Sequence, residues 1–203
     1  VNPNSEIQDP RSIIVLAAGG STRFGSAKQL AEIQGKELVR RACEAAVATG
    51  LRVEVVLGAD AGLIRPLIDH LPVEIEVNLN WPDGIGSSLK LGLRKVLRSA
   101  PETPAVAVTL ADQPLVGTES LVRLLDAFDR GDAPIAAARY AGTLGVPAVF
   151  GSVTFDRILS LGDGSGAAEI IRAAPRVAAA EMPEAAHDVD TPDDLKRILE
   201  TLR

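Results

Sequence analysis

The chain of 203 residues carries 46% apolar and 24% charged residues, a formal net charge of −6 and only 3% aromatics. That length suits one domain with a sizeable core, and the apolar content excludes a disordered chain. The acid excess and the shortage of aromatics exclude a general nucleic-acid surface, which needs a basic field for phosphates and ring faces for bases.

Residues 1–11 are polar, with two prolines and two asparagines. They are expected to form a flexible tail, not a signal peptide, ahead of a domain over 12–203. Ser12–Ala17 is a continuous β-branched and aliphatic run that reads as a central strand buried on both faces. A glycine-rich loop follows. A helix is expected over 36–49, with Leu38, Ala42, Ala45, Ala46 and Ala48 on its apolar side and Gly50 as its C-cap. Next come a strand over 53–57, a helix over 61–70 and an edge strand over 73–77, where V-E-I-E-V leaves one face wet. Leu89, Leu93, Val96 and Leu97 space a helix over 87–97. A buried strand over 105–110, a helix over 119–128 and short strands over 134–138 and 147–150 follow. Helices over 155–161, 167–174 and 192–202, with a weaker strand over 177–180, complete the chain. The alternation predicts one α/β domain with right-handed crossovers and a mostly parallel sheet.

Cys43, the single cysteine, excludes an intramolecular disulfide and, with only His70 and His187, a Cys- or His-rich metal centre. Cys43 reads as core, and the two histidines as surface or cap residues. The longest apolar run, Ile13–Ala18, is too short to cross a bilayer, and the expected setting is reducing and cytoplasmic.

Chemistry concentrates after the first strand, in Leu16-Ala17-Ala18-Gly19-Gly20-Ser21-Thr22-Arg23-Phe24-Gly25-Ser26-Ala27-Lys28. Ligands of open α/β sheets bind beyond the carboxyl ends of the strands. Gly19 and Gly20 allow close approach of backbone amides to an anion, Ser21 and Thr22 add hydroxyls, and Arg23 and Lys28 neutralise phosphates. The spacing is neither a Walker A loop nor G-x-G-x-x-G. L-A-A-G-x-S/T-x-R-F/M-G-x-x-K resembles the signature loop of nucleotidyltransferases with a Rossmann-like fold, most of all the molybdenum cofactor cytidylyltransferase branch (MobA-like). Ala18 is similar to the cytidylyltransferase form of the loop, where the guanylyltransferase form has glycine.

The resemblance runs from about Ile13 to Leu199. It implies a single-domain three-layer α/β/α fold of the nucleotide-diphospho-sugar transferase type, with Arg23 and Lys28 at the α- and β-phosphates. Asn80-Trp81-Pro82-Asp83-Gly84-Ile85-Gly86-Ser87-Ser88 is similar to the family segment that lies against base and ribose. That marks Asn80, Gly86 and Ser87 as nucleotide-binding, with Ser87 or Ser88 as a helix cap the alternative. Trp81 either packs under the nucleotide or plugs the core beside Pro82.

Two carboxylate segments complete the pattern. Asp112, in Ala111-Asp112-Gln113-Pro114 just past a buried strand, is a hard oxygen ligand suited to Mg2+, or else forms an Asx-turn. Asp188-Val189-Asp190-Thr191-Pro192 opens the last helix, and Asp190 there reads alone as an N-cap. L-A-D-Q-P and D-x-D-T-P resemble the family segments that place one aspartate each on the metal. The resemblance thus implies Asp112 and Asp190 as Mg2+ ligands, Asp188 as an outer neighbour, and Arg23, Lys28 and Asp112 as catalytic.

The acceptor side departs from the family. Val146 stands where G-x-x-G-H-P-x-x-F has histidine, and Ala168 where G-D-x-G-A-R has arginine. Residues 162–166 are either an anion-binding loop or a solvent loop, while Arg172 and Arg176 read as solvated helix ends. The implied activity is Mg2+-dependent transfer of a nucleoside monophosphate, CMP from CTP, to molybdopterin, with release of pyrophosphate. A molybdoenzyme or its chaperone would then receive the product. The alternatives are another small phosphorylated acceptor, or a nucleotide-binding maturation factor without transfer chemistry.

Overall fold

The computed structural model describes residues 9–202. In chain order the elements are β1 (Ser12–Ala17), a short ribbon of β2 (Glu32–Ile33) and β3 (Lys36–Glu37), α1 (Leu38–Val47), β4 (Arg52–Leu57), α2 (Ala61–Ile64), β5 (Glu74–Val77), α3 (Ile85–Ser99), β6 (Ala105–Leu110), α4 (Thr118–Arg130), β7 (Ile135–Tyr140), β8 (Thr143–Gly151), α5 (Phe155–Leu159), α6 (Ala167–Arg172), β9 (Ala178–Glu181) and α7 (Pro192–Thr201). Seven strands form one sheet in the order β5-β4-β1-β6-β8-β7-β9. β8 is antiparallel to both of its neighbours, while the other pairings are parallel.

β1 explains the layering. Ile13, Val15 and Ala17 point into one face, where α1 adds Val39, Cys43 and Ala46 and α4 adds Leu121 and Leu124. Ile14 and Leu16 point into the other, against Leu89 and Leu93 of α3, Ile158 of α5 and Ile170 of α6. Each large aliphatic side chain so enclosed contributes about 1.5–3 kcal/mol of burial. Two-sided burial is why the strand reads as an unbroken apolar run. A third cluster joins Ile33 and Leu38 to Val189 and Ile198, which holds the start of α7 beside the loop that follows β1.

Several boundaries differ from the periodicity. The helix expected over 61–70 is the four-residue α2 followed by a 3-10 turn, Arg65–Leu67. Pro66 has no N–H to donate and its ring crowds the preceding turn. The helix expected from residue 36 begins at Leu38, because Lys36 and Glu37 pair with Ile33 and Glu32 across a turn with positive φ at Gln34 and Gly35. The two short strands of the second half are a longer hairpin turning at Ala141 and Gly142. The helices expected over 155–161 and 167–174 end at Leu159 and Arg172.

The tail expected over 1–11 lies outside the described residues as far as residue 8; Arg11 is tied to Asp9 at 2.5 Å and Asp129 at 2.8 Å. Cys43 is buried, which pushes its thiol up to about 12. His70 and His187 are exposed. On β4, Glu54 is 4% exposed and one carboxylate oxygen has no partner among the described residues. Burial pushes it up to about 7, against the opposing pull of Lys95. No described helix is long and apolar enough to cross a membrane.

Candidate functional site

The order β4-β1-β6 puts the switch in strand order between β1 and β6, where a crevice opens at their carboxyl ends. The two ends are tied together by Ala111 N donating to Leu16 O at 3.1 Å. The loop after β1 and Asp112 after β6 therefore enter one crevice.

The loop is braced from beneath by Gln29, which is 3% exposed. Its Nε2 donates to Gly19 O at 2.8 Å and Ala17 O at 3.2 Å, while Oε1 accepts from Ser21 Oγ at 3.1 Å. Ser21 Oγ also accepts from Lys28 N, and Ser21 itself holds a left-handed φ of 51°. This bracing curls the chain so that, among the described residues, the amides of Gly19, Gly20, Ser21 and Thr22 meet no acceptor. Exposed donors of that kind form an anion nest. Gly20 is required here for another reason: a Cβ would stand 2.6 Å from the Trp81 ring. The indole thus lies directly on the loop, packs against the core cluster below it and lines the crevice.

Beneath the loop is a cavity of about 270 Å³, with Ala17, Ala18, Leu38, Trp81, Ser88 and Asp112 among its walls. Its far wall is the start of α3. Asn78, 5% exposed, donates through Nδ2 to Ser87 Oγ at 2.8 Å and Ser88 Oγ at 2.9 Å. Neither serine caps the helix: Gly84 is the N-cap, and Ser87 Oγ lies 2.7 Å from Gly84 O and 3.0 Å from Asn80 O. Asn80 is exposed and donates its amide to Asn78 Oδ1. Gly86, expected to offer its amide to the nucleotide, donates it to Asp163 O at 2.9 Å.

The charged centre joins three chain segments. Lys28 Nζ lies 2.7 Å from Asp112 Oδ2 and 2.8 Å from Asp190 Oδ1, with 12% of its side chain exposed. Arg23, largely exposed, reaches Asp190 Oδ2 at 2.8 Å. Asp190 is free for this because Thr191 is the N-cap of α7, in a reciprocal box with Asp194, so the N-cap reading of Asp190 does not hold. Val189 N donates to Asp112 O at 2.8 Å and fixes the two acidic segments side by side. Burial presses the Lys28 pKa down, but the two carboxylates outweigh it and raise it on balance. Asp190 is lowered first by its hydrogen bond from Lys28, with Arg23 adding to the effect. Asp188 is pushed up to about 6 by partial burial and then by the negative charge of Asp112 and Asp190.

The centre fits a divalent cation. Asp112 Oδ1 is buried without a hydrogen-bond partner among the described residues, and an ammonium already bridges the two carboxylates. The described residues hold no cluster of three or more His, Cys, Asp or Glu side chains placed to ligate a metal. Such a cation would draw its remaining ligands from substrate phosphates and water, as Mg2+ does.

On the acceptor side, Arg172 and Arg176 are exposed helix-end residues as expected, and Val146 and Ala168 bring no polar side chain. The Val146 carbonyl accepts from Gln113 Nε2 and Tyr140 OH, both at 3.2 Å. Ala168 is exposed, Arg172 bonds back to Ala168 O, and Arg176 pairs with Asp132 at 2.5 Å. Sequence reasoning missed Gln29 and Asn78. The one signal for each was a neutral polar residue at the edge of an apolar element.

A mostly parallel sheet with this switch-point crevice is the Rossmann-like fold of nucleotidyltransferases, shared with nucleotide-diphospho-sugar transferases. Residues 13–179 match the MobA-like NTP transferase domain, and the chain belongs to that family. Among curated relatives, nicotine blue oxidoreductase from Paenarthrobacter nicotinovorans is 33% identical over 130 residues, which is 63% of this chain and 61% of that protein. The chain thus matches about three fifths of that relative's length. Rv0371c from Mycobacterium tuberculosis H37Rv is 27% identical with a TM-score of 0.79, over 94% of this chain and 97% of that one. A second structure of Rv0371c, also 27% identical, is a complex with manganese, with a TM-score of 0.77 over 94% and 98% of the two chains. A nucleotidyl transferase from Methanothermobacter thermautotroptrophicus shares the fold at 21% identity and a TM-score of 0.77, over 94% and 96%.

Proposed function

We infer that the protein transfers a nucleoside monophosphate from a triphosphate, CTP by preference, to a phosphorylated small acceptor, with pyrophosphate leaving. Molybdopterin is the most specific form of that acceptor, and a molybdoenzyme or its chaperone would take up the product. One observation carries the reading: Lys28 sits between Asp112 and Asp190 beside a loop with free amides.

The chemistry asks little covalent work of the protein and much positioning. The amides of Gly19 to Thr22, with Arg23 and Lys28, hold the phosphate chain and spread its charge. The Lys28 ammonium can donate to three acceptors, so an arriving phosphate would join or replace one of its two carboxylates at Nζ. Ala17, Ala18 and the start of α3 enclose the base, with Trp81 at the side of the loop. Mg2+ on Asp112 and Asp190, completed by phosphate oxygens, would supply the positive charge that an in-line attack on the α-phosphate needs.

A second reading is favoured by the oxidoreductase relative. In it the same loop holds a dinucleotide hydride donor, and the apolar cavity holds a conjugated substrate. Pyrophosphate release is therefore measured across the four triphosphates, with and without molybdopterin, beside oxidation of reduced nicotinamide dinucleotide with a conjugated dye. The transfer reading expects acceptor-dependent release with CTP foremost. Dye-dependent nicotinamide oxidation without release would replace it with the reductase. Nucleotide binding with neither activity would leave a maturation factor.

A further inference from the structure

The first turn of α3 is covered by residues 161–166, the segment between α5 and α6. The two backbones are in direct contact. Besides the bond from Gly86 N to Asp163 O, a Cβ on Gly84 would stand 2.5 Å from that oxygen and 2.8 Å from Gly164 Cα. A Cβ on Gly86 would collide with the carbonyls of Gly162 and Ser165. Neither position admits a side chain.

One turn further along α3, Lys90 reaches the same segment. Its Nζ donates to Leu161 O at 2.7 Å and pairs with the Asp163 carboxylate at 2.6 Å, with 12% of the side chain exposed. An enclosed ammonium with two acceptors on one loop makes strong, charge-assisted bonds. The loop itself contains three glycines and no helix, so its ordering is entropically costly without such a clasp. Lys90 plays no part in the phosphate centre.

We propose that Lys90 is a positioning residue that locks 161–166 onto α3, so that the far wall of the nucleotide cavity and the acceptor-side loop act as one unit. Gly84, Ile85 and Ser88 line the cavity from the same turn that the loop covers. Ile85 also meets the loop's last glycine, since a Cβ on Gly166 would be 3.1 Å from the Ile85 side chain. Loosening the loop therefore loosens the cavity wall, and by linkage an occupied cavity tightens the loop. This coupling rests on the nucleotide reading of the cavity; the clasp does not.

The test compares the whole chain with Lys90→Met and Lys90→Arg. Amide hydrogen exchange is followed over 84–90 and 161–166, with β1 as the internal reference for global opening, and Mg-CTP affinity is titrated on the same samples. Lys90→Met is expected to speed loop exchange about tenfold or more, leave β1 unchanged and weaken Mg-CTP about three- to tenfold. Lys90→Arg, which keeps a cation, is expected to restore most of both. Unchanged loop exchange in Lys90→Met would overturn the clasp, and a loosened loop with unchanged affinity would overturn the coupling. A wild type that binds no triphosphate at all overturns the nucleotide reading and the coupling with it, while the exchange contrast still decides the clasp.

Discussion

The loop after β1 and the loop between α5 and α6 both border the crevice, yet they are ordered by opposite means. The first is held from below by a buried amide, Gln29, and its own backbone donors are left free. The second is held by its own backbone, with Gly86 and Lys90 occupying its carbonyls at Asp163 and Leu161. Around the first loop the cationic and acidic groups converge within hydrogen-bond distance; near the second, Arg172 and Arg176 are turned to their own neighbours. The difference teaches where the family's common chemistry resides. Under the proposed function, the charge cluster would serve the triphosphate and the loop that differs from the family pattern would face the acceptor.

Substitutions break this contrast to different degrees, taken here by their effect on transfer. Asp112→Asn keeps the shape and the hydrogen bond from Lys28 but removes a carboxylate charge; transfer is expected to fall roughly a thousandfold with the unfolding midpoint nearly unchanged. Lys28→Met leaves Asp112 and Asp190 without their shared cation, and about a hundredfold loss is expected. NMR titration provides the second readout for that variant. Asp190, now held low by Lys28, should titrate at higher pH, and the stability it contributes above the ordinary carboxylate range should no longer be lost as the pH falls through its depressed native pKa.

Gly20→Ala drives a methyl into the Trp81 ring, a strain of about 1–3 kcal/mol that the indole relieves by moving. Nucleotide affinity should fall about tenfold, and the fluorescence of this single tryptophan should shift. Glu54→Gln, below the crevice on β4, should leave transfer untouched and change only stability. Below about pH 4.5 the carboxyl is protonated in both folded and unfolded chains. Between there and about 7 the unfolded chain ionises first, so the wild type loses stability as pH rises, by about 3 kcal/mol in all. Urea unfolding from pH 4 to 8 should show that slope as the difference between the wild type and the variant, with the contribution of Asp188 common to both.

Much of the fold was legible because central parallel strands are buried on both faces, and the runs over 12–17, 53–57 and 105–110 are almost wholly apolar, with Glu54 the one charged exception. The hairpin of β7 and β8 was harder. Its alanines carry little strand preference, and nothing local declares that β8 inserts between β6 and β7 in the opposite direction. The charged residues of the centre could be picked out because each lies in a short segment just past a strand or before the last helix, although three such segments had to be brought together. The supports of the site were not legible, since Asn78 gains meaning only from Ser87 and Ser88 across a turn. The backbone partner of the Gly86 amide, Asp163 O, was not legible because it belongs to a segment remote in sequence. Asp190 was ambiguous for a local reason: either it or Thr191 can cap α7, and only the fold shows that Thr191 does.

The central claim is that Asp112 and Asp190 form a cation site completed by substrate phosphates. Paramagnetic resonance of Mn2+, titrated into the protein with and without CTP, tests it directly. One tightly held Mn2+ per chain is expected when the triphosphate is present, at least tenfold weaker in Asp112→Asn and unchanged in Glu54→Gln. Equal Mn2+ affinity in the wild type and Asp112→Asn, with CTP bound to both, would contradict it.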